Sequence, residues 1–469
     1  MNKRFWGKGF GLALICLTAC SLAPHYEAPK VVVSQQFQGR SAWVVAAPSD
    51  QEPRGDWWLA FNDAGLNRLE ALFKTDNQNF KAALASLESA RQQVKASRSL
   101  FMPSINANVG ASRTRTSQNA PSYNAGRGPF SEDLIANASA SYEVDLFGRL
   151  TSSFQSIKAQ AAAISGDVRS LELTLRVQVA VTYFTIHALD GEAKQLQAHL
   201  AVEEKALAQA NALYKGGAFA RNDLDNISAQ YAQLKTQIDE NNLHRAQLEH
   251  ALAVLVGSDP SSFHEPIFAL ALDHPRVVHG QTLPSTVLQR RPDIAAAERR
   301  VKAANAGIGT ARAAYLPVFD LNGYLGRESL SQSNWWSEPS LAWSGAAQGG
   351  VLLLDAGRRA ATVKAAEAGF DNAVAQYRQT VLSAIADVED QLAARQALLD
   401  EQMEAKRHLN AAQSSLKIAQ AKYLVGTITN LELVAAEAEL TQATTSALDT
   451  EARFLAEELN LIRAIGGES

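Results

Sequence analysis

Long apolar runs are missing from the body of this 469-residue chain. Past the N-terminus no segment offers the roughly 18 consecutive apolar residues of a transmembrane helix, so any membrane crossing falls to strands. Cysteine is nearly absent: the only two are Cys16 and Cys20. The body therefore has no disulfide framework and no thiol chemistry. Proline is missing from two long stretches, between Phe130 and Asp259 and after Pro339. Both are rich in Ala, Leu, Gln, Glu, Lys and Arg, the composition of long helices. The net charge is −4, with no basic stripe of the kind nucleic acid requires. The nine histidines are scattered, and no H-E-x-x-H, P-loop or nucleophile elbow occurs. His244 and His250, six apart, do not share a helix face. Three methionines offer little to soft-metal transport. Neither an enzyme nor a bound cofactor or metal is expected.

Lys3, Arg4 and Lys8 precede a short apolar stretch, Gly9 to Leu17. That length suits a signal peptide and is too short to span. Leu17-Thr-Ala-Cys20 then resembles the lipobox of bacterial lipoprotein signal peptides. A cysteine is needed there because its thiol takes a diacylglycerol, the chain is cut before it, and the new amine is acylated. An ordinary signal peptide with an incidental cysteine is the other reading. The expectation is a signal peptide over 1–19, lipidation at Cys20, and an arm over 20–75. Ser21, not Asp, follows, which resembles the pattern sorted to the outer membrane.

The body is written twice, about 210 residues apart, as in a duplicated chain with internal pseudo-symmetry. Phe80 to Pro103 aligns without a gap on Ile294 to Pro317, matching Ala90 to Ala304 and Arg98 to Arg312. Asp145-Leu-Phe-Gly-Arg149 matches Leu354-Asp-Ala-Gly-Arg358, and Tyr214-Lys-Gly-Gly217 matches Tyr423-Leu-Val-Gly426. Two copies are too few for a solenoid, but they can make half of something that closes on itself. The copies are placed at 76–257 and 291–469, with a proline-rich connector over 258–290 and one short helix near Ser285–Gln289.

Each copy changes period in the same order. Helical character begins near Asn62, strengthens from Asn79 to Leu100, and ends at Pro103. Ile105, Ala107, Val109 and Ala111 then alternate with polar or small residues, as do Leu134, Ala136, Ala138, Ala140, Tyr142 and Val144. The second copy alternates through Phe319, Leu321 and Leu325, and returns through Leu341, Trp343, Ala347, Val351 and Leu353. Period two with an apolar and a polar face defines strands, and about ten residues is a membrane-spanning length. Taken alone, an antiparallel sheet with one wet face explains the pattern equally well. Four strands cannot close a barrel, and open edges in lipid leave backbone groups unsatisfied. If these strands span, several chains share one barrel.

A helix from Gly148 to about Tyr214 would be roughly 100 Å long. A second helix returns after Gly216-Gly217, with a three-and-four spaced seam at Leu224, Ile227, Tyr231, Leu234 and Ile238. Asn241 and Arg245 interrupt that seam. The second copy repeats the hairpin from about Asp355, turning at Gly426 and ending near Ala464. Its return helix carries Leu433, Ala447, Phe454 and Leu461. Pro292 and Asp293 suit a first helical turn.

Lipobox, strand hairpin, long helical hairpin and the duplication together resemble the outer membrane factor family, the TolC-like efflux proteins of Gram-negative bacteria. The lipid-anchored branch of multidrug efflux systems is the nearest in feel. The resemblance covers essentially the whole mature chain. It rests on Arg291-Pro-Asp-Ile294, Ala314-Tyr-Leu-Pro317, the Gly-Arg pairs after the strands and the Tyr-x-x-Gly turns. It implies a mainly α fold with a β-barrel portion. Three chains would give a homotrimer with a twelve-strand outer membrane barrel and a twelve-helix periplasmic tunnel. It also implies three partners: a periplasmic adaptor (membrane fusion) protein, an inner membrane efflux transporter and the outer membrane lipid.

By the same resemblance, Tyr214, Gly217, Tyr423 and Gly426 form the tip where adaptors dock. Plain helix termination explains them equally. Glu432 falls where the family places a pore-ringing carboxylate, and Asp223 is its first-copy counterpart. The family's second Asp position falls on Ala435. Both acids also suit a helix N-terminus. Trp335, Trp336 and Trp343 suit an interfacial aromatic belt or loop packing alike. The reading is a passive outer membrane duct for small molecules. A same-fold channel for protein secretion or metal efflux, and a periplasmic coiled-coil scaffold, are the alternatives.

Overall fold

A computed structural model describes residues 22–36, 39–44, 55–121, 123–126, 128–272 and 289–467. The signal peptide, the lipidation site Cys20 and nearly all of the short helix expected near Ser285–Gln289 lie outside the described residues. In chain order a hairpin of β1 (Val31–Gln36) and β2 (Gly39–Val44) comes first. Helices α1 (Ala64–Asp76) and α2 (Gln78–Ser99) precede strands β3 (Ser104–Arg115) and β4 (Phe130–Val144). Helices α3 (Arg149–Lys215) and α4 (Arg221–Leu255) complete the first copy. The second runs α5 (Pro292–Ala313), β5 (Val318–Ser329), β6 (Leu341–Gly350), α6 (Arg358–Leu424) and α7 (Asn430–Ala464).

The duplication shows in the lengths. α2 and α5 each have 22 residues, β3 and β5 each 12, α3 and α6 each 67, α4 and α7 each 35. A 67-residue helix is about 100 Å long at 1.5 Å per residue. Among the described residues no helix is long and apolar enough to cross a membrane.

Within the arm β1 and β2 pair antiparallel. Two expectations are corrected. The helix expected from Asn62 is two helices, broken at Asn77, whose extended ψ of 120° stops α1 and whose side chain starts α2. β6 ends at Gly350, which pairs with Val318, the first residue of its partner β5, so Val351 and Leu353 lie beyond the pairing and leave the strand.

The described residues divide into two compact units. One takes Met1–Pro29, Ser86–Ser165 and Ala296–Tyr377 and holds a four-stranded antiparallel sheet in the order β3-β4-β5-β6. An aspartate starts each helix that follows a strand hairpin. Asp145 accepts from the Leu150 and Thr151 amides at 3.0 and 2.8 Å, and Asp355 from the Gly357 and Arg359 amides at 3.1 and 3.0 Å. These bonds satisfy donors that a helix start leaves open. The N-terminal segment lies on α5, where Asn305 donates to the Pro24 carbonyl at 2.9 Å and the Tyr26 hydroxyl meets Glu298.

The other unit takes Lys30–Ala85, Gly166–Ala295 and Arg378–Ser469. Its core gathers Phe61, Leu66, Leu69, Phe73, Tyr183, Phe184, Ile186 and Leu252, all fully buried. Each such side chain stabilises by about 1.5–3 kcal/mol. The polar interruptions of the α4 seam have partners on α3. Asn241 donates to the Leu189 carbonyl at 3.3 Å, and Arg245 to Asp190 at 2.5 Å. On α7, Ala447, Phe454 and Leu461 are buried as their sevenfold spacing predicts, while Leu433 is half-buried.

Candidate functional site

The register of the sheet sorts its side chains onto two faces. The rows Val109↔Ala136↔Arg327↔Leu341 and Ala107↔Ala138↔Leu325↔Trp343 run straight across four strands. Alternation then puts Ile105, Ala107, Val109, Leu134, Ala136, Ala138, Leu321, Leu325 and Trp343 on one side. The other side carries Asn106, Asn108, Asn137, Ser139, Ser141, Asn322 and Gln348, in rows such as Asn106↔Ser139↔Tyr324↔Ser344. One face is mainly apolar over four strands, broken by Arg327 and, at the loop end, by Arg113, Arg115 and Glu132, and the other is mainly polar. Ile105, Val109, Leu325 and Trp343 are exposed although apolar, which is the chemistry of a lipid-facing wall. β3 and β6 are unpaired edges among the described residues. Of the tryptophans, Trp343 lies on the apolar face, whereas Trp335 and Trp336 sit in the β5–β6 loop, 5.6 Å apart.

Each helical hairpin turns in the same way. Gly217 donates to the Tyr214 carbonyl at 3.0 Å and Ala218 to the Leu213 carbonyl at 2.9 Å. Gly426 donates to Tyr423 at 3.0 Å and Thr427 to Lys422 at 2.9 Å. These paired bonds around a left-handed residue are a Schellman cap, and both glycines have φ of +75°. Tyr214 and Tyr423 lie at the surface. The tips differ in chemistry. The first places Lys215 and Gly216 between tyrosine and glycine, and Arg221 stacks 5.7 Å from the Tyr214 ring. The second exposes Leu424 and Val425, at 85% and 74%.

Glu432 and Asp223 occupy the same position in the first turn of their helices. Glu432 is engaged in a capping box. Thr429 donates its amide and hydroxyl to Glu432 Oε2 at 2.8 and 3.0 Å, and the Glu432 amide donates back at 3.3 Å. The Thr429 amide and hydroxyl hold the carboxyl below its usual range. Asp223 is exposed, and the N-cap of its helix is Ala220, which has no side-chain oxygen to answer it.

A cavity of about 710 Å³ opens between α3, α4 and α7. Leu431, Val434 and Ala435 line it, whereas Glu432 does not. From α3 it receives Glu192, Leu196, His199 and Glu203, spaced as one helix face, and from α4 Gln230, Gln237 and His244. Burial pushes the Glu192 and Glu203 carboxyls up and the His199 imidazole down. Sequence reasoning passed over these residues. Their three-and-four spacing was available as a signal, but it belongs equally to any buried stripe. Among the described residues no group of three or more His, Cys, Asp or Glu is placed to hold a metal ion.

An apolar-faced sheet of four strands joined to duplicated 67-residue helices defines a class, that of outer membrane channels with long helical hairpins. The family model described as outer membrane efflux protein matches residues 72–258 and 283–467. The chain belongs to that family. It is 29% identical to the outer membrane protein OprJ of Pseudomonas aeruginosa, over 100% of this chain and 97% of OprJ. It is 28% identical to the cation efflux system protein CusC of Escherichia coli, over 97% of this chain and 96% of CusC. Among solved structures, the open state of the Neisseria gonorrhoeae MtrE outer membrane channel aligns with a TM-score of 0.82 and 27% identity, covering 96% and 98% of the two chains. The Campylobacter jejuni CmeC outer membrane channel aligns at 0.85 over 96% and 95%, and at 23% identity shows the fold alone.

Proposed function

We propose that the chain is the outer membrane duct of a tripartite efflux system, passing small molecules such as drugs outward. The observation that carries this reading is the mainly apolar face on a sheet with two unpaired edges. In lipid such edges must be closed. Three copies supply the strands for one barrel and the hairpins for one tunnel. Cys20 anchors the chain in the outer membrane, with copies at 76–257 and 291–469. A periplasmic adaptor docks at the tips, at Tyr214, Gly217, Tyr423 and Gly426, and an inner membrane transporter supplies the energy. Glu432 and Asp223 ring the periplasmic end of the pore, where a set of like charges favours cations. The duct performs no covalent step.

Photo-crosslinkers at Ala218 and Thr427, beside the two turns, test this in living cells. Capture of an adaptor of a proton-driven multidrug pump supports the reading. Capture of an ATP-driven secretion partner keeps the duct and changes its cargo. Crosslinks only to peptidoglycan-associated proteins, with no adaptor at either position, would overturn it.

A further inference from the structure

The apolar face does not end in apolar residues. At the loop end of β3 the same face continues with Arg113 and Arg115, paired across the strand with Glu132 and Phe130. Arginine on a lipid-facing wall is costly at mid-bilayer and tolerated only near an interface. The height is right for that. From Ile105 to Arg113 is about 27 Å along the strand, or about 21 Å along the membrane normal at a tilt near 40°. Arg115 reaches about 26 Å on the same terms. The two guanidinium groups therefore bracket the upper rim of an apolar band about 25 Å tall. β3 follows α2, so this rim is the end away from the helices. If the helices are periplasmic, it lies in the outer leaflet.

Both arginines gather on one ring. Their guanidinium carbons lie 5.4 and 5.8 Å from the centre of Phe130, which is itself more than half exposed. The ring restrains both side chains before any ligand arrives. Among the described residues Glu132 is the one acid on this face of the cluster, 3.8 Å from Arg113, with both side chains over half exposed. It takes up part of one charge and leaves the patch net positive. Arg327, also on this face, is committed to the Trp336 and Ser337 carbonyls at 2.9 and 2.6 Å.

We propose that Arg113, Arg115 and Phe130 form a binding site for the phosphate groups of phosphorylated glycolipid in the outer leaflet of the outer membrane. Guanidinium forks match phosphate oxygens in two-point geometry, and the phenyl ring packs on the sugar or the start of an acyl chain. The site rests on the barrel reading given above. It would fix the depth of each strand hairpin in the leaflet.

The test uses the full-length protein purified from outer membranes, stripped of lipid, and titrated with lipid A followed by native mass spectrometry. Bisphosphorylated lipid A should bind, and R113Q/R115Q should weaken it about tenfold. Fully dephosphorylated lipid A should bind wild type no better than the variant. E132Q should strengthen binding, while Thr114→Ala on the polar face should leave it unchanged. Equal binding of the two lipids, or no loss in R113Q/R115Q, would overturn the site. Conductance of wild type in planar bilayers reads the barrel separately. A protein that conducts but does not discriminate phosphate refutes the site alone, and one that never inserts refutes the barrel and the site with it.

Discussion

The same joint is built twice in the helical unit, from different residues. In the first copy Asn77 donates to the Leu255 carbonyl, the last of α4, at 2.6 Å. In the second, Arg291 donates to the Ala464 carbonyl, the last of α7, at 2.9 Å. Each copy thus ties the start of its strand-bound helix to the end of its return helix. Just beyond each carbonyl is a glycine in the left-handed region, Gly257 at φ +74° and Gly466 at φ +94°. The first joint is neutral, since Asn77 also accepts from the Phe80 amide at 2.7 Å. The second is ionic, with Arg291 held by Asp293 at 2.7 Å and Asp387 at 2.9 Å, and Arg463 reaching Asp387 at 3.1 Å. The duplication has kept the bond to the carbonyl and changed the chemistry around it.

The steric side of that comparison breaks first. A Cβ on Gly257 would sit 2.1 Å from the Asp76 carbonyl oxygen, whereas one on Gly466 would sit 3.2 Å from the Arg290 carbonyl carbon. Gly257→Ala meets both left-handed strain and a backbone clash, together about 2–5 kcal/mol. Gly466→Ala meets mainly the strain, about 1–2 kcal/mol. The temperature at which helical signal is lost should fall clearly more for the first. Equal losses would mean the two joints are packed alike.

The electrostatic side comes next. Arg291→Ala leaves Asp293 without this ion-pair partner and takes one of two from Asp387, both partly buried, a loss of about 3 kcal/mol. Arg463 remains beside Asp387 and keeps the loss at the low end of what such pairs cost. Asn77→Ala removes two hydrogen bonds without leaving a charge, about 1–2 kcal/mol. Urea unfolding of the two variants should therefore rank Arg291 as the more costly, and the reverse order would show that the neutral joint holds more.

These joints also mark where sequence reading stops. The turns were legible because Tyr-x-x-Gly recurs at one offset and glycine alone suits φ +75°. The strands were legible from their alternation, and the long helices from proline's absence. The break at Asn77 was not, because asparagine is neutral within a helical stretch unless its long-range partner Leu255 is known. Nor was the equivalence of Asn77 and Arg291, since the residue types share only a donor. Val351 and Leu353 read as strand because alternation continues past Gly350, where the pairing stops. The titratable cavity residues on α3 were hidden for a related reason. Glu192, His199 and Glu203 repeat like any seam, and only the packing of α4 and α7 makes them line a space.

The tips give the finest contrast. α7 begins with a capping box at Thr429 and Glu432, while α4 has Ala220 at its N-cap and no side-chain cap. Thr429→Ala should cost about 1 kcal/mol, and Ala220→Thr, which lets Asp223 answer it, should restore part of that symmetry. The pH response follows from the sign of the Glu432 shift. A carboxyl held below its ordinary value stabilises the fold when charged. That contribution is complete above the ordinary glutamate value of about 4.3 and is lost as pH falls through the lower folded value. Hydrogen exchange, corrected for its intrinsic pH dependence, should therefore show the first turn of α7 losing protection below about pH 4. The first turn of α4 should keep whatever protection it has, and Glu432→Gln should remove the difference. A parallel loss at both tips would refute the cap as its cause.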